Sequence, residues 1–189
     1  MLIPMILVIL ALLLIMYYRH TSNIDEINEN DIPDKLTLDI DYQKSGGTNW
    51  CLVACISMLL DYYGINHHQN VIAKEIMMEN GSGSNIQKAI RYVNNLGFDM
   101  IFSVIYINDI PKYIYQDIPV VAIMGYKLSN PACHARIAKG YDLKRDILIF
   151  SDPSIVDGYE LTFNEIKGLS LVGSNTNYVH VIIMTKRGE

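Results

Sequence analysis

Residues 43–64 read QKSGGTNWCLVACISMLLDYYG, and within them the run from Trp50 to Tyr63 is apolar on nearly every helical face. A helix that is hydrophobic all round is a buried, central one. Gly64 suits the position just past its end, and Thr48 or Asn49 can cap its start. The stretch therefore predicts a central helix entered through a polar, glycine-containing loop. Cys51 opens that helix. Free N–H donors and the partial positive charge of a helix N-terminus favour the thiolate over the thiol. The competing reading is a cysteine that fills core space, the usual fate of a lone Cys.

Working outward, Val71 to Met78 and Ile86 to Leu96 read as amphipathic helices, the second preceded by the turn Gly81-Ser82-Gly83-Ser84 and stopped by Gly97. The texture then changes. Phe98 to Ile107, Ile118 to Tyr126, His134 to Tyr141, Ile147 to Ser151 and Tyr178 to Thr185 are β-rich runs, with a short helix over Asn164 to Leu169. Helices first and strands later, on hairpin-length links, predict an α+β domain rather than a βαβ one.

The remainder of the chain bounds the partners. With 15 Lys+Arg against 20 Asp+Glu and a net charge of −5, the 189 residues hold no run of basic residues, which argues against nucleic acid. Of the first 18 residues all but Pro4 are hydrophobic, and Leu2 to Tyr18 is free of charge. At ~1.5 Å per residue that helix is at the short end of a bilayer span. It has neither the basic start nor the small-residue exit of a cleaved signal peptide. Residues 1–18 are therefore expected to form a single-pass anchor, with Tyr17, Tyr18, Arg19 and His20 as an interfacial belt. Arg19 leans the domain towards the cytoplasmic side. Residues 19–40, polar and acidic, read as a tether, and residues 41–189 as the domain.

Three cysteines, Cys51, Cys55 and Cys133, make no disulfide framework. Cys51 and Cys55 lie one helical turn apart, at ~5–6 Å between Cβ atoms, too far for a disulfide. No pair of C-x-x-C motifs points to structural zinc, and no phosphate-loop glycine signature points to an ATPase.

The segment from Gln43 to Gly64 resembles papain-like cysteine peptidases of the C39 and C39-like type, related to the staphopain kind. Downstream, CHARIAKGYDLKRDILIFSDPS (residues 133–154) resembles the second half of the same pattern: a histidine opening a strand, a Gly-Tyr-Asp turn, and a strand ending in Asp-Pro. The resemblance implies a papain-like fold, with the central helix packed on an antiparallel sheet, and a cysteine endopeptidase acting on a peptide or protein. It implies Cys51 as nucleophile, His134 as base and then acid, Asp152 as the group that orients His134, and Gln43 as oxyanion donor beside the Cys51 N–H, with Asn49 as a weaker substitute. No metal or organic cofactor is called for. The resemblance extends to C39 domains that are fused to exporters, and so admits a separate transporter as a partner.

Each residue has a plainer alternative. His134 is otherwise a strand histidine, and Asp152 before Pro153 a turn former. His180 in YVHVIIM is the competing base, and His67 and His68 read as solvated loop residues. Asp142 and Asp146 read as solvated hairpin flanks. Strand alternation turns Cys133 away from any site that His134 faces. At the level of function, the alternatives are a non-catalytic peptide-binding module on the same fold, or a Cys–His amidase or transpeptidase.

Overall fold

The computed structural model describes residues 27–127, 130–173 and 176–188. The expected anchor, the Tyr17–His20 belt and the first part of the tether lie outside the described residues. Among the described residues no helix is long and apolar enough to cross a membrane. The chain divides into two compact units, Met1–Pro33 and Asp34–Glu189. The described part of the first unit contains a short 3-10 turn at Glu29–Asp31.

In the second unit, seven antiparallel strands form one sheet: β1 (Lys35–Thr37), β2 (Phe98–Tyr106), β3 (Val120–Lys127), β4 (Asn130–Asp142), β5 (Ile147–Ser151), β6 (Asp157–Thr162) and β7 (Tyr178–Lys186). Their order is β2-β7-β3-β4-β5-β6, with β1 on β4. The helices are α1 (Cys51–Tyr62), α2 (Gln69–Ile76), α3 (Ile86–Asn95), α4 (Ile110–Tyr115) and α5 (Phe163–Leu169). The expected α+β class is what is found.

The reading of α1 as a buried rod holds in detail. Every residue from Leu52 to Leu60 is buried. At ~1.5–3 kcal/mol for each large apolar side chain taken out of water, this helix is a main source of the domain's stability. Gly64 sits at φ +85°, as the end signal required. The helix lies against β4, α3 against β2, and α5 against β3 and β7. Residues 120–125 of β3 are buried without interruption, the burial pattern of a strand covered on both faces.

Three expectations need correction. The tether does not run to residue 40. Lys35–Thr37 pair with Thr37↔Gly140 and Lys35↔Asp142, while Leu38 and Ile40 are buried. The alternation of Leu36, Leu38 and Ile40 is the strand signal, diluted by the charges between them. Second, Gly140-Tyr141-Asp142 is the last part of β4 and not a turn; the chain reverses at Leu143–Arg145, with Asp146 left-handed at φ 55°. Asp142 is correspondingly buried, and its carboxylate accepts the Arg145 N–H. Third, α4 and β6 have no counterpart in the sequence reading. IPKYIY looks like a strand by composition, and DGYELT carries too few apolar residues to mark one.

Gly140 is needed where it stands because β1 crosses it closely. A Cβ there would lie 2.7 Å from Thr37 Oγ1 and 2.8 Å from the Leu36 carbonyl. Gly140→Ala is therefore expected to lower stability by about 1–3 kcal/mol, the usual cost of overpacking. Urea unfolding followed by circular dichroism measures this, and an unchanged midpoint would contradict the close approach.

Candidate active site

Three elements converge at one place: the head of α1, the first half of β4, and the end of β5. Cys51 is the first residue of α1, so its own N–H has no carbonyl one turn earlier within the helix. The cap expected from Thr48 or Asn49 is not made. Trp50 holds the N-cap position without a side-chain bond, and Asn49, at φ 61°, donates from Nδ2 to the Gly81 carbonyl at 3.0 Å. The loop is held instead by packing and a main-chain tie. A Cβ at Gly47 would lie 2.7 Å from the Trp50 indole, so only glycine lets the backbone lie on that ring. The Ser45 N–H donates to the Pro153 carbonyl at 2.9 Å, fastening the loop to the segment that follows β5.

His134 is the fifth residue of β4 rather than its opener, and is 5% exposed. Its Nε2 meets Asp152 Oδ1 at 2.9 Å, and Asp152 is fully buried. The ring also interacts with the Cys51 thiol, and with Nε2 on Asp152 the nitrogen left for the sulfur is Nδ1. The edge of Tyr126 closes over His134 at 5.0 Å between ring centres, at 88°. Asp152 Oδ1 further accepts the N–H groups of Ser154 at 2.9 Å and Ile155 at 3.2 Å. The carboxylate is thus a turn former as well, and the turn fixes it in front of the imidazole.

The electrostatics separate two thiols on one helix. Burial raises the Cys51 thiol, but the hydrogen bond to His134, the N–H groups of Ala135 and Leu52 and the imidazolium charge outweigh it and hold it below its ordinary value. Burial would lower His134; the hydrogen bonds and charges of Asp152 and Cys51 raise it instead. Burial raises Asp152, and the bond and charge of His134, with the Arg136 guanidinium, bring it below the ordinary carboxylate range. One turn along, burial drives Cys55 well above an ordinary thiol. Cys51 is therefore the more readily ionised of the two thiols, and Cys55 a core residue.

Cys51, His134 and Tyr126 line a cleft of about 380 Å³ together with the loop residues Lys44, Ser45 and Gly47 to Trp50, and with Ala132, Cys133, Pro153 and Ser154. Cys133 is exposed while His134 is buried, as strand alternation requires, yet it borders the same cleft and its thiol is raised by burial and by Cys51. It does not point clear of the site.

Gln43 is not brought into the cleft. Its Oε1 accepts from Ser57 Oγ at 2.9 Å and from Gln69 Nε2 at 3.3 Å, and its Nε2 donates to Asp61 Oδ2 at 3.3 Å. Ser57 and Asp61 lie well down α1 from Cys51, so the long loop carries Gln43 beside the helix body. The substitute, Asn49, does line the cleft, and its amide gives one of its two N–H bonds to the Gly81 carbonyl. His67 is not simply solvated: its Nδ1 lies 2.6 Å from the Tyr92 hydroxyl. His180 sits in β7, stacked on Phe102 at 5.3 Å, and does not line the cleft.

A residue that sequence reading missed is Arg136. It is fully buried, its Nε is 3.4 Å from Asp152 Oδ2, and its Nη2 donates to the carbonyls of Gly125 and Tyr126 at 3.3 and 3.1 Å. The available signal was an arginine two positions after the histidine, hence on the same strand face, in an otherwise apolar run. Among the described residues no group of three or more His, Cys, Asp or Glu is placed to hold a metal ion.

Residues 35–168 match the model of the Peptidase_C39 like family. The fold resembles a double glycine motif protease from an AMS/PCAT transporter, solved with the leader peptide, at TM-score 0.59 and 16% identity over 79% of this chain and 94% of that one. It also resembles the peptidase domain of Streptococcus ComA, a bifunctional ABC transporter involved in a quorum-sensing pathway, at TM-score 0.55 and 15% identity over 79% of this chain and all of that one. No curated protein matches the chain. With a family match across more than half of its length, and a thiol and an imidazole in one cleft backed by a buried carboxylate, the chain belongs to the Peptidase C39-like family of cysteine peptidases.

Proposed function

We propose that this peptidase is an endopeptidase that works through a thioester at Cys51. The observation that carries the reading is the continuous line from the Cys51 sulfur through His134 to Asp152. The Cys51 thiolate attacks the scissile carbonyl carbon, and the carbonyl electrons move onto oxygen. The imidazolium of His134 gives its proton to the leaving amine as the C–N bond breaks, producing a thioester and a free amine. Neutral His134 then takes a proton from water, whose oxygen attacks the thioester; a carboxylic acid leaves and the thiolate is restored. Asp152 holds the ring in orientation and stabilises its charged form, the third-member role of a triad.

Oxyanion stabilisation falls to the main chain in this reading. The Cys51 N–H at the head of α1 is free of helical pairing and adjoins the attacking sulfur, whereas the Gln43 amide is engaged with Asp61. A peptide substrate is supported by the open cleft and by the fold likeness to a protease solved with its leader peptide. Attachment to a bilayer through residues 2–18 is supported by their freedom from charge and by a hydrophobic run broken only at Pro4.

Replacing Cys51 by Ala is expected to abolish peptide hydrolysis while leaving the thermal transition within a few degrees of wild type. Acid quenching of wild-type turnover should trap substrate mass on the tryptic peptide carrying Cys51. Hydrolysis at the wild-type rate by Cys51→Ala would overturn the mechanism. The full chain is expected to sediment with vesicles through an alkaline carbonate wash, and a chain in which Leu7, Leu10 and Leu13 are changed to Glu is not; release of the wild-type chain by carbonate would refute the anchor.

A further inference from the structure

Beyond the three residues in line, the site contains a buried charge that the proposed reaction does not use. Arg136 is 0% exposed, and so is Asp152. A guanidinium removed from water needs a counter-charge, and Asp152 Oδ2 at 3.4 Å supplies it. Oδ2 and the Arg136 Nε and Nη1 atoms have no hydrogen bond among the described residues, so charge attraction is what relates the two groups. The other end of the guanidinium bonds the carbonyls of Gly125 and Tyr126, where the register of β3 against β4 shifts, and its plane lies 5.5 Å from the Tyr159 ring. Tyr126 is the residue whose ring closes over His134.

We propose that Arg136 is a positioning residue for the Cys51–His134 pair, fixing the imidazole from two sides by compensating the charge of Asp152 and by holding the backbone of Tyr126. This rests on the thioester reading above. Counting the reactive state, thiolate and imidazolium balance one another, and Arg136 balances Asp152, so the buried cluster is neutral. Without Arg136 it carries one uncompensated negative charge, and every proton in it is held more tightly.

The groups that face this cluster are few. Cys51 and Cys55 come from α1, His134 from β4 itself, Tyr126 from β3 and the Tyr159 ring from β6. The Tyr42 hydroxyl donates to the Asp152 carbonyl at 3.3 Å. Asp157, which also acts on Tyr42, is occupied by Lys139 and Ser151. Removing the guanidinium charge therefore leaves His134, among the described residues, as the one cationic partner of Asp152 in this cluster.

The test is the pH dependence of Cys51 alkylation by iodoacetamide in the full chain, located by mass spectrometry, which needs no substrate. Arg136→Met is expected to move the thiolate transition upward by about one pH unit. Arg136→Lys, which keeps the charge, is expected to return it to within about a third of a unit of wild type. A profile for Arg136→Met that superposes on wild type overturns the inference, as does a Lys variant that behaves like the Met variant. Failure of the underlying mechanism looks different: wild-type Cys51 itself would titrate as an ordinary thiol. Should Arg136→Met not fold, the double variant Arg136→Met/Asp152→Asn, which removes both charges, decides. Recovery of its cooperative thermal transition supports the compensation, and continued failure to fold overturns it.

Discussion

The contact between His134 Nε2 and Asp152 Oδ1, buried inside the domain, is the constraint around which the site is arranged. An imidazole and a carboxylate removed from water are each costly, and together they are tolerable only when paired and bonded on their remaining sides. All of the hydrogen bonds of the carboxylate side chain end on Oδ1, while Oδ2 has the guanidinium charge alone. The carboxylate takes two main-chain N–H groups of its own turn and the charge of Arg136; the ring takes the Cys51 thiol and the edge of Tyr126. Removing one member of such a buried pair commonly costs about 3–5 kcal/mol, so the same contacts that tune the chemistry also hold β4 to the end of β5.

The rest of the domain makes that contact possible. The buried body of α1 fixes its own head, and its head fixes Cys51 against β4. β4 is long enough to pair with β3 along its first half and with β1 and β5 along its second. His134 and Arg136 therefore stand in a stretch restrained from several directions. The loop before α1 is joined to the segment after β5 through Ser45 and Pro153, so the two walls of the cleft are not independent. The difference between Cys51 and Cys55 follows from this placement alone. They have the same side chain on the same helix, one turn apart, but Cys51 meets the His134 imidazolium and N–H groups, whereas at Cys55 burial and the charges of Cys51 and Asp152 outweigh Arg136.

Much of this was legible in the sequence because it depends on local pattern. The apolar run of α1 ending at Gly64, the position of Cys51 at its head, and the order of helices before strands all follow from periodicity and end signals. His134 and Asp152 were found as residue types in a resembling motif, and the structure brings His134 to Cys51 and Asp152 to His134. What was missed depends on distance in space. Gln43 was placed by its separation from Cys51 along the chain, but Ser57, Asp61 and Gln69 offer it closer partners. Strand β1 was hidden because its stability comes from β4, a hundred residues away, and the reason for Gly140 is visible only once β1 is in place. Arg136 was passed over because a charged residue within a strand is ordinarily solvent-facing, and only the buried carboxylate opposite it makes sense of its position.

The central claim is that Cys51 and His134 form a thiolate–imidazolium pair. The most direct measurement is a titration of the His134 ring by nitrogen-15 NMR in the intact domain, compared with Cys51→Ala. The account predicts that His134 keeps its proton to above the ordinary histidine value, and that this rise shrinks when the sulfur is removed, because Cys51 is one of the two groups that raise it. A ring that titrates at or below the ordinary value, unaltered by Cys51→Ala, would contradict the account.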